Sequence, residues 1–190
     1  MSIESRYVLD NINVLVLDDN RHMRTLVQSI LHALGVKNIR EASDAAEAFK
    51  ELMHFHADVI IVDWHMEPLD GIDFVKLVRT AKDSPNPYVP IIMLSGYTEY
   101  RRVVAARDAG VNEFLAKPIS AKALYQRFAS IIENPRPFIR TKLYFGPDRR
   151  RQNLGAPRGI PERRKDEIDR TAGGEDEGLS QDEINALLAD

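Results

Sequence analysis

The amino-acid sequence predicts an α/β protein: a doubly wound, five-stranded parallel sheet with helices on both faces, followed by an extended C-terminal tail. Two observations carry this. Apolar runs of strand length recur five times, and stretches with apolar residues at 3.6-residue spacing separate them. The central runs are apolar on both faces, as parallel strands buried between helices must be. Repeated β-α units joined by right-handed crossovers then give the doubly wound sheet.

The elements follow in order. Strands are placed at about 12–17, 38–42, 58–62, 90–94 and 112–116. After the first strand, Leu26, Val27, Ile30, Leu31 and Leu34 form one apolar helical face, closed by Gly35 where a helix C-terminus accepts glycine. Asn20, Ser43, Asp70 and Ser120 stand at expected N-cap positions, because their short side chains accept hydrogen bonds from otherwise unpaired first-turn amides. The last helix ends near Ile132, and Asn134-Pro135-Arg136-Pro137 breaks it. A domain is therefore expected over 1–134.

Composition narrows the class. The chain has 190 residues, 44% of them hydrophobic and none cysteine, so a core can form while disulfide and thiolate chemistry are excluded. No apolar run approaches the roughly 18 residues of a membrane span, and the first ten residues hold no apolar signal segment. A soluble, cytoplasmic chain is expected. Charge is uneven: residues 1–134 carry 15 basic and 18 acidic side chains, 135–170 carry 11 and 5, and 171–190 carry 0 and 6. A basic segment thus precedes an acidic end.

Ligands of open α/β sheets bind beyond the carboxyl ends of the strands, so polar residues there matter most. The first strand runs into Asp18-Asp19, the third into Asp63, the fourth into Ser95 and the fifth into Lys117. Any one of them reads equally as a cap, a turn residue or a surface charge. Together they place three carboxylates, a hydroxyl and an ammonium on one edge, where carboxylates raise one another's pKa unless a cation neutralises them. A hard divalent ion such as Mg²⁺ suits oxygen ligands of this kind. Asp63 is then a nucleophile toward phosphorus, with Lys117 offsetting charge and Ser95 donating to a phosphoryl oxygen.

Four segments carry a resemblance: Val14-Leu15-Val16-Leu17-Asp18-Asp19-Asn20; Ile60-Ile61-Val62-Asp63-Trp64-His65-Met66 with Asp70-Gly71; Met93-Leu94-Ser95-Gly96; and Phe114-Leu115-Ala116-Lys117-Pro118. Over about residues 10–133 the chain resembles the response-regulator receiver family, whose single-domain member is CheY. The resemblance implies strand order 2-1-3-4-5, an order for which CheY is a standing example. It implies Asp63 as phosphoacceptor, Asp18 and Asp19 as the acidic pair, and the backbone carbonyl of His65 as a further Mg²⁺ ligand. It also implies Ser95 and Phe114 as the residues that move on switching, Lys117 as the pairing cation, and a cis Lys117-Pro118 bond. Glu67 stands between Met66 and Pro68, where the family has Met-Pro, which leaves that loop's path open.

The tail divides in two. Residues 135–178 are rich in Arg, Pro and Gly and are expected to be a linker, with Phe138, Ile139, Leu143, Tyr144 and Phe145 as its apolar cluster, able to fold back on the domain. Its charge invites nucleic-acid contact, but there is no helix-turn-helix pattern and no sustained aromatic interleaving, so a solvated linker is the stronger expectation. Residues 179–190 read as a short amphipathic helix. Ser180 and Glu183 form a capping box, Leu179 and Ile184 a hydrophobic staple, and Ile184, Leu187 and Leu188 an apolar face. This segment resembles the receiver-binding N-terminal peptide of the flagellar switch protein FliM. Treated as a random coil, the tail between 134 and 179 spans about 35 to 40 Å, within reach of the domain's own surface. Docking on its own or another receiver is therefore expected.

The sequence thus predicts a two-component signalling protein, not an enzyme beyond self-phosphorylation and dephosphorylation. Its expected partners are a sensor histidine kinase or phosphotransfer protein, and flagellar switch or other receiver proteins, in chemotaxis or motility. The alternatives are an adaptor or phosphate sink that sequesters receivers or kinases, a nucleic-acid-associated regulator using the Arg-rich tail, and a Mg²⁺-dependent phosphohydrolase.

Overall fold

Five short parallel strands form the centre of the computed structural model, which describes residues 7–141, 144–148 and 178–188. In chain order the first ten elements are β1 Asn13–Leu17, α1 Arg21–Ala33, β2 Asn38–Ala42, α2 Ala45–Leu52, β3 Val59–Asp63, α3 Gly71–Thr80, β4 Ile91–Ser95, α4 Tyr100–Ala109, β5 Glu113–Ala116 and α5 Ala121–Glu133. The sheet order is β2-β1-β3-β4-β5, all pairs parallel.

Strand alternation sorts the core into two layers. Leu15, Leu17, Ile60, Val62, Ile91 and Met93 face α2, α3 and α4, while Val14, Val16, Ile61, Ile92, Leu94 and Leu115 face α1 and α5. Both sides of β3 and β4 are buried throughout. Each fully buried aliphatic side chain contributes about 1.5 to 3 kcal/mol relative to exposure, and these layers fix the sheet. The third and fourth strands end one residue later than expected, at Asp63 and Ser95, because the ladder continues through them: Asp63 pairs with Leu94 and Ser95 with Ala116.

Asn20, Asp70 and Ser120 cap their helices through side-chain oxygens. Ser43 does not. The cap of α2 is Asp44, which accepts from the Glu47 amide at 2.9 Å, and the Glu47 carboxylate reaches back to the Ser43 amide at 2.7 Å. Two adjacent residues could each cap, and the one three positions before Glu47 won. Gly35 takes φ +93°, and the Val36 amide returns to the Leu31 carbonyl at 3.0 Å, which closes α1 as a left-handed turn.

The stretch predicted as linker does not begin in solvent. Residues Phe138–Arg140 (β6) and Phe145–Pro147 (β7) pair as an antiparallel hairpin, and Phe138 and Phe145 set their rings edge-on to Tyr88 at 5.1 and 5.2 Å. The hairpin packs over a buried arginine near the end of α3. Arg79 is 2% exposed, and its guanidinium meets backbone carbonyls of Pro87 (2.8 Å), Val89 (2.7 Å) and Gly110 (2.9 and 3.1 Å) and the Asn112 side chain (3.1 Å). All five of its donors are used. Burial pushes this group down to about 9, which leaves it charged at neutral pH. Phe138 closes the stack, 5.1 Å from the guanidinium carbon. The rest of the predicted linker, 149–177, lies outside the described residues, as does Leu143.

The predicted terminal helix is α6, Gln181–Leu187. Its capping box is complete, with Ser180 and Glu183 bonded reciprocally. Ile184 and Leu188 are fully buried against the same core layer as α4, with Leu179 and Leu187 packed beside them. The helix therefore docks on its own chain.

Hydrogen bonds from the Ser180 amide and hydroxyl hold the Glu183 carboxyl below its ordinary pKa. Its folded value is lower than its unfolded one, so the cap acts fully above the ordinary carboxylate range and is lost as pH falls through the lowered value. The amide-exchange protection factors of α6, in which the intrinsic pH dependence of exchange is divided out, are accordingly expected to fall relative to those of α5 on acidification from pH 7 to about pH 3. Protection that falls equally in the two helices would contradict the cap's role.

Candidate functional site

The carboxyl edge of the sheet gathers the predicted residues into one cavity of about 360 Å³, lined by Asp18, Asp19, Asp63, His65, Ser95 and Lys117 together with Asn20, Met23, Trp64, Gly96 and Tyr97. Asp18 and Asp63 are 1% and 6% exposed, so two carboxylates stand almost out of water at neighbouring strand ends. Oxygens of Asp18, Asp19 and Asp63 lie within 4.8 Å of one another.

Lys117 is the cation facing them. Its Nζ is 2.9 Å from Asp63 Oδ1 and 3.7 Å from Asp18 Oδ2. The first contact is a hydrogen-bonded ion pair; the second is too long for one. Asp18 Oδ1 accepts from the Asn20 amide at 2.8 Å, but Oδ2 is buried without a hydrogen bond among the described residues. Burial pushes the Asp18 carboxyl above its ordinary pKa, and the charges of Asp63 and Asp19 add to this against the opposing pull of the Asn20 amide and Lys117. A buried carboxylate oxygen with no donor, beside two further carboxylates, is what a hard cation would complete. The donor set therefore fits Mg²⁺.

The surroundings hold this arrangement in place. Arg24 Nη1 donates to the backbone carbonyls of Asp18 at 2.7 Å and Asp19 at 3.3 Å, while its Nε meets Glu41 at 3.3 Å. Gly71 lies directly against the Asp63 carbonyl, where a Cβ would collide with that oxygen, and its amide donates to the Trp64 carbonyl at 2.9 Å. The bonds Lys117-Pro118 and Glu67-Pro68 are both cis, the second at the position where Glu67 departs from the family pattern.

Ser95 and Phe114 are where the sequence placed them, though Ser95 is otherwise engaged. The Ser95 hydroxyl donates to the Tyr97 carbonyl at 3.0 Å and accepts from the Tyr97 amide at 2.9 Å. Phe114 is fully buried and stands edge-on to Trp64, centroids 6.4 Å apart. Arg102 lies over Trp64 at 5.6 Å and Tyr97 at 4.5 Å, roofing the loop after β4. Sequence reasoning missed Arg24 and Arg102, because a long side chain announces neither its direction nor its partner.

The cavity, topology and strand-end residues define a class. The model of the response regulator receiver domain matches residues 14–129, and the chain belongs to that family. Chemotaxis protein CheY-3 of Vibrio cholerae serotype O1 is 32% identical over 123 residues, which cover 65% of this chain and 93% of that protein. The solved chemotaxis protein CheY4 of V. cholerae superposes with TM-score 0.58 at 29% identity, over 63% of this chain and 98% of its own. The receiver domain of histidine kinase CKI1 from Arabidopsis thaliana, solved with Mg²⁺ and BeF₃⁻, shares the fold at TM-score 0.56 and 23% identity, over 64% of this chain and 92% of its own. The homologous region ends before the hairpin and α6 begin. No helix among the described residues is long and apolar enough to cross a membrane.

Proposed function

We propose that this chain is a two-component response regulator that accepts a phosphoryl group on Asp63 from the phosphohistidine of a sensor kinase or phosphotransfer protein. The supporting observation is the buried Asp63 carboxylate, poised beside Asp18, Asp19 and Lys117 in an open cavity. A carboxylate oxygen attacks phosphorus, the P–N bond breaks, its electron pair leaves with the imidazole nitrogen, and an acyl phosphate forms. Mg²⁺ held by Asp18, Asp19, Asp63 and the His65 carbonyl would neutralise charge on the transferring group. Lys117 pairs with Asp63 before transfer and with a phosphoryl oxygen after it.

Ser95 converts charge into movement. To donate to a phosphoryl oxygen its hydroxyl must leave Tyr97, so the loop after β4 has two arrangements with different partners. Reversing a 1:99 population takes roughly 5.5 kcal/mol, within reach of a few charge-assisted hydrogen bonds of about 1.5 to 3 kcal/mol each. The output face is that of α4, β5 and α5, next to this loop and Phe114. Resemblance to chemotaxis proteins supports an output in chemotaxis or motility.

Trp64 is the sole tryptophan and lines the cavity, so it reports on the site. Its fluorescence is expected to change when beryllofluoride is added to the chain already saturated with Mg²⁺, and not when beryllofluoride is added without Mg²⁺. No response to the pair would reject the proposal.

Replacing Lys117 by methionine removes the cation and leaves two buried carboxylates facing each other. The expected loss is about 2 kcal/mol of metal-free stability, below the 3 to 5 typical of a fully buried pair because Lys117 is partly exposed. Mg²⁺ should then raise the melting temperature of Lys117→Met more than that of the wild type. An equal or smaller shift would show that Lys117 is not the counter-charge.

A further inference from the structure

The C-terminal helix sits on the face through which a receiver would address its partners, and its contacts are specific rather than merely apolar. Among the described residues β5 is the outermost strand of the sheet, so its edge presents backbone groups that no strand there pairs. The Gln181 side chain takes the place of one: Nε2 donates to the Phe114 carbonyl at 3.0 Å, and Oε1 accepts from the Ala116 amide at 2.8 Å. The Leu179 amide donates to the Thr98 carbonyl at 2.9 Å, which ties the segment to the loop after β4. From α5, Arg127 donates to Asn185, and beyond it Arg136 donates to the Leu188 carbonyl at 2.6 Å, occupying a carbonyl that the helix end leaves open. Ile184 and Leu188 fill the apolar floor beside Phe114.

We propose that α6 is an intramolecular competitor for the α4-β5-α5 face. Docked in cis, it excludes any partner helix of the same design: acidic at its N-terminus, with a glutamine to read the β5 edge and two apolar residues one turn apart to fill the floor. The tether keeps α6 at an effective concentration on the order of mM, so a partner with micromolar intrinsic affinity binds only where α6 is displaced.

Displacement is coupled to Asp63 through one short loop. Ser95, bonded to Tyr97, and Thr98, held by Leu179, are its two ends. Docked α6 fixes the loop with the Ser95 hydroxyl committed to Tyr97. A phosphoryl group that recruits Ser95 pulls against that grip, and by reciprocity releasing α6 tightens the site for a phosphoryl mimic by the same factor. This coupling rests on the phosphoacceptor reading; the competition does not.

The test uses the full-length chain as wild type, Gln181→Ala and Ile184→Asp, with a labelled synthetic peptide of residues 178–190 as probe. Ile184→Asp is expected to bind the peptide at least tenfold more tightly than the wild type, and Gln181→Ala, which keeps the apolar contacts, to fall between them. The milder variant keeps the comparison valid if the aspartate disturbs folding. Equal affinity in all three chains, or binding by none, overturns the competitor. In a parallel titration with beryllofluoride and Mg²⁺ followed at Trp64, Ile184→Asp is expected to respond at severalfold lower concentration than the wild type. A response at the same concentration removes the coupling. If no chain responds, the phosphoacceptor reading fails, while the peptide still decides the competition.

Discussion

Arg79→Leu is expected to lower the stability of the chain by about 3 to 5 kcal/mol, seen as a fall in the urea midpoint with the slope unchanged. The guanidinium joins the end of α3 to the loop before β4 and the turn before β5 through five hydrogen bonds. Leucine fills most of the volume but leaves three backbone carbonyls without these donors, each costing about 1 to 3 kcal/mol where it stays dry. Asn112 loses less, since it also accepts from the Ile91 amide at 3.0 Å. Arg79→Lys should recover part of the loss, because an ammonium keeps the charge but cannot fork to carbonyls on three segments. The hairpin should loosen as well, since Phe138 rests on the guanidinium. A loss under about 1 kcal/mol for leucine would show that water replaces the missing donors.

Asp63→Asn is expected to abolish phosphoryl transfer from a phosphorylated histidine kinase and the Trp64 response to beryllofluoride with Mg²⁺. An amide has the shape of the carboxylate but lacks its nucleophilic oxygen and its charge, so the variant should fold while failing at the reaction. The contact with Lys117 at 2.9 Å changes from an ion pair to a hydrogen bond from the ammonium to a neutral amide oxygen. Transfer to the variant at a rate near that of the wild type would move the acceptor to another carboxylate.

The residues of the candidate site were more legible in the sequence of this chain than its packing. A parallel sheet brings its strand ends to one edge, so Asp18, Asp63, Ser95 and Lys117 could be gathered from their position after apolar runs alone. The box and staple of α6 were legible for a similar reason: local hydrogen bonding follows local spacing. The same local logic failed at Ser43, where a second competent cap stood next in line. Arg79 and Gln181 were beyond it altogether. Arg79 finds Gly110 and Asn112 some thirty residues away, and Gln181 finds an unpaired strand edge that exists only once β5 is known to be outermost. The hairpin after α5 was half visible, as an apolar cluster able to fold back on the domain, while its strand pairing and its seat against Tyr88 were not.

The most direct test of the account is the intact mass of the wild-type chain after incubation with a small phosphodonor, with and without Mg²⁺, followed by peptide mapping. One added phosphoryl group is expected, only when Mg²⁺ is present, carried by the peptide containing Asp63. No mass gain, a gain indifferent to Mg²⁺, or a phosphoryl group mapped to any other residue would contradict it.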